Sequence, residues 1–290
     1  MTGSVRQATS RIDTTTAGTN IVYRVSGDES HRPLVLLHGW AQSSACWGDR
    51  VLTTLAESFR VIAVDLRGHG YSDAPSTGYG ESANWAADVH AVLIAEGIDQ
   101  DAVLLGWSYG GLVLCDYLAA HGTGTVAGIV LVGAITSIGR GEAGGRVGSA
   151  MRAAIPDAMS EEPRTAIKAL GSFGHALTGP IEGEALKGPT AGKGEQAQAL
   201  FGATLSTPPR VRAALFDRTV SHDDLLAGLD VPALVLHGTA DTVVDVSAGE
   251  HAASLIPAAT ASFWEGVDHG PFVADPDRFL AEVTAFVQGL

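Results

Sequence analysis

The chain has 290 residues, 46% hydrophobic and 17% charged, with a formal net charge of -14. That is enough for one large core, or for a core carrying an inserted lobe. The negative balance argues against nucleic acid and against an anionic membrane surface as partners, and no apolar run approaches a membrane span of ~20 residues.

Met1 to Gly18 is polar and rich in Thr and Ser, without the apolar segment of a signal peptide. Cys46 and Cys115 show neither C-x-x-C nor metal-type spacing. Without a disulfide framework there is no sign of an oxidising compartment, so a soluble, cytoplasmic protein is the expectation.

Thr19 to Ser26 alternates Ile21, Tyr23 and Val25 and predicts a strand. Arg11 to Thr15 is its expected hairpin partner, turning at Ala17-Gly18. Leu34 to Leu37 predicts a buried strand that ends in His38-Gly39-Trp40. Val51, Leu52 and Leu55 mark a helix. Val61 to Val64 is a second buried strand, followed by the run from Asp65 to Ser72. Ser82 to Glu96 predicts a helix with Trp85, Val89, Val92 and Leu93 on one face, closed by Gly97.

The next stretch organises the chain. Ala102 to Leu105 is an apolar run, followed at once by Gly106-Trp107-Ser108-Tyr109-Gly110, and then by Leu112, Val113, Cys115 and Leu118 at helical spacing. Strand, G-x-S-x-G and helix in that order form a nucleophile elbow. The glycines let a strand reverse directly into a helix, and Ser108 takes a strained backbone at the helix N-terminus. Unpaired N–H groups there favour a developing oxyanion. The alternative is a tight turn with an inert serine. No G-x-G-x-x-G or Gly-Lys-Ser/Thr is present, which disfavours a nucleotide loop.

The helix after the elbow stops near Gly122, and Val126 to Val132 predicts the next strand. Short apolar strands alternating with amphipathic helices imply an α/β fold: a mostly parallel, eight-stranded-type sheet with helices on both faces. The texture then changes. Val147, Ala150, Met151, Ala154 and Ile155 mark a helix; Thr178 to Gly194 reads as loop; Thr207 is an expected N-cap with Pro208 at N1. This divides the chain into a first core part, 1–135, a helical cap, 136–217, and a second core part, 218–290. In the last part Ala233 to Leu236 predicts a strand that leads to Asp241. Ser247 and Glu250 suggest a capping box. Ala261 to Trp264 is a short strand before His269. Asp275 caps a last helix with Pro276 at N1 and Phe279, Leu280, Val283, Phe286 and Val287 on its buried face.

A serine hydroxyl needs a base, and the base needs a third group to orient it. With the nucleophile on an elbow the chain order is Ser, Asp, His. Ser108, Asp241 and His269 supply that order, each after its own strand. Asp245 is the rival acid. Asp268 is read as solvated or helix-directed, Trp107 as packing behind the elbow. His38 and His237 are read as loop histidines bonded to backbone rather than metal ligands, since no third ligand is spaced with them.

Four separated motifs make the chain resemble an α/β-hydrolase: His38-Gly39-Trp40, Asp65 to Ser72, Gly106 to Gly110, and Asp241 with His269. The nearest likeness is to small capped serine esterases and the cofactor-free haloperoxidase/perhydrolase branch, which often has proline where this chain has Ala41. The resemblance implies that Trp40 and Tyr109 donate the oxyanion-hole N–H groups, and that Asp65, Arg67 and His69 form a structural turn. It implies a carboxylic ester or lactone as the small-molecule substrate, hydrolysed through an acyl-enzyme, with no cofactor and no metal. Perhydrolysis, cleavage of a C–C bond beside a ketone, and slow-turnover ligand sensing are the alternatives. Serine at the elbow, where dehalogenases and epoxide hydrolases carry aspartate, disfavours those two activities.

Overall fold

The computed structural model describes residues 6–12, 18–178 and 193–290, with side chains for 18–178 and 194–290. The chain opens with an antiparallel pair, β1 (Arg6–Ile12) and β2 (Thr19–Ser26). The expected hairpin is therefore present, but its first arm begins at Arg6 rather than Arg11; the turn at Ala17 lies outside the described residues. Next come β3 (Pro33–Leu37), α1 (Gly48–Ala56), β4 (Arg60–Val64), α2 (Ser82–Ala95), β5 (Ala102–Trp107), α3 (Tyr109–His121) and β6 (Val126–Val132). Gly97 ends α2 at φ 65 and Gly122 ends α3 at φ 68.

The strand-poor stretch that follows holds β7 (Ser137–Ile138), α4 (Ser149–Ala158), α5 (Pro163–Thr178), α6 (Lys193–Ser206), α7 (Pro209–Ala214) and β8 (Val220–Ser221). Most of the expected Thr178–Gly194 loop lies outside the described residues, and its last two residues already belong to α6. The chain closes with α8 (Asp223–Ala227), β9 (Ala233–Gly238), α9 (Val246–Leu255), β10 (Ala259–Trp264), α10 (Pro271–Ala274) and α11 (Pro276–Gln288). None of the helices among the described residues is long and apolar enough to cross a membrane.

Eight strands form one sheet in the order β1-β2-β4-β3-β5-β6-β9-β10. The pairings of β1 with β2 and of β2 with β4 are antiparallel; the rest are parallel. Every residue of β5 and β9 is buried, as central strands covered on both faces must be. In α11, Phe279, Val283 and Val287 are fully buried, each worth about 1.5–3 kcal/mol; Phe286 is only half-buried.

Two predicted helix starts move. Pro208 is extended, at φ -57 and ψ 141, and α7 begins at Pro209. A residue before proline is pushed out of the helical region, so Pro208 cannot be N1. Thr207 instead bonds back to Ala203 O. Asp245 rather than Ser247 caps α9, accepting the Ser247 N–H at 3.1 Å. A carboxylate at the positive end of the helix takes the capping position.

The strand order reverses between β3 and β5, the place where open α/β sheets bind ligands. Ser108 follows β5 there at φ 56, ψ -121, a conformation rarely adopted by residues with side chains. The turn is tight because α3 starts against the end of β3. A Cβ on Gly110 would lie 2.1 Å from Leu37 O, a backbone atom that cannot yield. Gly110→Ala is expected to destabilise the protein by on the order of 3 kcal/mol, read as a lowered urea midpoint; an unchanged midpoint would refute the close packing of the elbow.

Candidate active site

The end of β3 and the elbow touch. A Cβ on Gly39 would sit 2.8 Å from the Ser108 Cβ, so the His38-Gly39-Trp40 loop runs directly against the serine. Ser108 is buried, 5% exposed. Among the described residues neither the Trp40 nor the Tyr109 backbone N–H donates to another protein group. After Trp40 the loop turns through Ala41 at φ 55, a torsion closed to a proline ring. The Ala41 N–H donates to His69 Nε2 at 3.2 Å.

The ends of β9 and β10 bring an acid and an imidazole together. His269 Nδ1 lies 2.7 Å from Asp241 Oδ2. The other oxygen, Oδ1, accepts the Val243 and Val244 N–H groups at 2.8 and 2.9 Å, so the carboxylate is held by its own loop. Nδ1–H donating to a carboxylate leaves Nε2 as the basic nitrogen. Gly133, at φ 48 after β6, lets the chain pass this pair: a Cβ there would approach Asp241 Oδ2 and His269 Nδ1 to 3.3 Å. The Trp107 indole donates to His269 O at 3.0 Å, tying the residue before Ser108 to the histidine. Among the described residues the Ser108 hydroxyl and His269 Nε2 have no hydrogen-bond partner.

Burial drives the Asp241 pKa up, but the nearby His269 charge and the hydrogen bonds from His237 and His269 outweigh it, and the carboxyl ends well below its usual range. Burial pushes His38 down to about 4 and His69 to about 3, so both are neutral at pH 7.

The rival residues have other partners. Asp245 caps α9. Asp268 is half-buried, and its Oδ1 accepts the N–H groups of Thr242 and His269 at 3.2 and 2.9 Å, joining the two loops that carry Asp241 and His269. His38 bonds Gly39 O and the Leu66 N–H. Asp65 accepts the Ser44 and Tyr71 N–H groups at 2.6 and 3.0 Å, and Arg67 pairs with buried Asp88.

Residues 34–282 match the alpha/beta hydrolase family. The chain belongs to that family. It is 66% identical to an esterase from Rhodococcus sp. ECU1013 whose crystal structure superposes with a TM-score of 0.91, covering 99% of each chain. It is 35% identical over 284 residues to a non-heme chloroperoxidase of Streptomyces lividans, covering 95% of this chain and 98% of that protein. It is 28% identical to a bifunctional esterase/perhydrolase of Acinetobacter calcoaceticus, over 95% of this chain and 98% of that one.

In this α/β-hydrolase one further residue meets the acid. His237 lies on β9, not in a loop; its Nε2 is 3.0 Å from Val244 O and 3.2 Å from Asp241 Oδ2. His237 and Asp241 are four residues apart. A strand followed by a turn does not normally bring such a pair together, so the spacing alone carried no signal.

Because the folded Asp241 titrates below its ordinary 3.8, the stability it contributes is present above roughly pH 4 and is lost as pH falls further. The stability gap between wild type and Asp241→Asn is therefore expected to be widest at neutral pH and to narrow below pH ~4. Urea melts across that range measure it, and a gap independent of pH would contradict the assignment.

Proposed function

We propose that the protein is a serine hydrolase acting on a carboxylic ester or lactone through an acyl-enzyme, with Ser108 as nucleophile, His269 as base and Asp241 as its orienting acid. The observation that carries this reading is the 2.7 Å bond between His269 Nδ1 and Asp241, formed beside a serine on a strained elbow.

The Ser108 hydroxyl attacks the acyl carbon while His269 Nε2 takes its proton. The carbonyl oxygen becomes an oxyanion, to which the free N–H groups of Trp40 and Tyr109 donate; each such donor is worth roughly 3 kcal/mol in the transition state. His269 then returns the proton to the leaving alkoxide, and water repeats the cycle on the acyl-enzyme. Asp241 stays ionised throughout, keeping His269 in the tautomer that presents Nε2. The Ser108–His269 hydrogen bond forms as substrate enters, since catalytic hydrogen bonds tighten in the substrate complex. Residues 136–217 act as a cap over this site.

A second reading uses the same acyl-enzyme. Hydrogen peroxide replaces water in the second half-reaction and leaves as a peracid. The chloroperoxidase and esterase/perhydrolase relatives favour it.

Ser108→Ala is expected to lower kcat on a p-nitrophenyl ester by at least about 10^4-fold and to abolish labelling by a fluorophosphonate. Retained labelling would refute the nucleophile. Peracid formation from acetate and peroxide far above the ester rate would select the second reading, and hydrolysis without it the first.

A further inference from the structure

The two residues whose N–H groups are assigned to the oxyanion have their side chains fastened to one short stretch of chain, residues 212–218. The Trp40 indole N–H donates to Arg212 O at 3.0 Å, and its ring meets Phe216 edge-on at 5.9 Å. The Tyr109 hydroxyl donates to Leu215 O at 3.2 Å and accepts from Arg218 at 3.1 Å. Both side chains are buried.

That stretch is itself clamped at both ends. The Arg212 guanidinium donates to three carbonyls, Ala158 O at 2.8 Å, Thr204 O at 3.1 Å and Thr207 O, which gathers α4, α6 and α7 around it. Arg218 donates to both oxygens of Asp116 on α3, at 2.8 and 2.7 Å, and to Ser82 on α2 at 2.9 Å. It also lies over the Trp85 and Tyr109 rings. Trp40 and Tyr109 are thus held twice: by their backbones at strand ends and by their side chains on residues 212–218.

The double anchorage bears on two unusual torsions. Ala41, after Trp40, is at φ 55, and Ser108, before Tyr109, is at φ 56. Such conformations persist only where the surroundings over-determine them, and the direction of each N–H depends on them.

We propose that residues 212–218 are a positioning element that sets the aim of both oxyanion donors through the side chains of Trp40 and Tyr109, with Arg218 as its fixed point. The proposal rests on the triad reading above. It makes the seating of the helices around α7 a determinant of kcat: a displacement there is transmitted to the oxyanion hole without touching Ser108 or His269.

Trp40→Phe keeps an aromatic ring but removes the indole N–H donor together with part of the buried ring; Tyr109→Phe removes only the hydroxyl. Each is expected to lower kcat on a p-nitrophenyl ester by roughly 10- to 100-fold, the scale of a small misplacement at a reacting centre, with KM within about twofold. Inhibition by phenylboronic acid, whose serine adduct carries an oxygen in the oxyanion position, is expected to weaken in parallel. Arg218→Lys retains the charge beside Asp116 but loses the fork geometry; it is expected to lower kcat in the wild-type background and to add little to Tyr109→Phe. Reduced melting temperatures with wild-type kcat and boronate affinity in Trp40→Phe and Tyr109→Phe would overturn the proposal, leaving these contacts a role in folding alone. If Tyr109→Phe does not fold, Trp40→Phe decides by the same criterion. Turnover retained in Ser108→Ala would instead bring down the triad reading, so the two failures are distinguishable.

Discussion

The absence of space between the end of β3 and the start of α3 is the constraint on which the site depends. Gly110 packs on Leu37 O, and Gly39 on Ser108. Because β3 and β5 are neighbours paired in parallel from Leu34 to Leu37, their exits are fixed side by side, and the helix that leaves β5 has nowhere else to begin. The serine at that junction is forced to positive φ. Strain of this kind costs about 1–3 kcal/mol and is sustained by a rigid frame; here the frame is a sheet whose central strands are buried along their length.

The second theme is how a chain of net charge -14 manages carboxylates in its interior. Each of the buried aspartates Asp65, Asp88, Asp116 and Asp241 has a specific set of donors. Asp65 takes backbone N–H groups and so braces the loop behind Trp40. Asp88 takes an arginine, and Asp116 takes an arginine together with Nε2 of His222. Asp241 alone is surrounded by backbone N–H groups and two imidazoles. Buried charges without such partners are strongly disfavoured. The difference in partners separates roles: an arginine locks a carboxylate into a salt bridge, whereas an imidazole bonded through Nδ1 keeps a second nitrogen for chemistry.

Much of the fold was legible because its signals are local. Apolar runs mark β3 to β6 and β9, glycines end α2 and α3, and Asp275-Pro276 opens α11. Motif and chain order put Ser108, Asp241 and His269 forward as a candidate set, with Asp245 as the rival acid; the contact of His269 with Asp241 is what the structure adds. The misreadings have local causes too. The Thr- and Ser-rich start has no apolar pattern to set the bounds of β1. At α7 and α9 two candidate caps compete within a few residues, and the backbone restriction before Pro209, or the stronger acceptor at Asp245, decides between them. The part Asp268 plays in joining two loops was not legible, because nothing in its neighbourhood of the sequence reveals that Thr242 lies across from it.

By itself, the sequence determined the alternation of buried strands and helices and the elbow around Ser108, since each is written in residues close together along the chain; it also offered the order of serine, acid and histidine, since each of those residues follows its own apolar run. Only the tertiary structure decided which acid meets the imidazole, that His237 shares that acid, and that Trp40 and Tyr109 are fastened to residues 212–218. His269 and Asp241, like Trp40 and Tyr109 and their partners, come from segments far apart in sequence, and the acceptors for the Trp40 and Tyr109 side chains are backbone carbonyls, which every residue carries and which therefore leave no mark in the order of side chains.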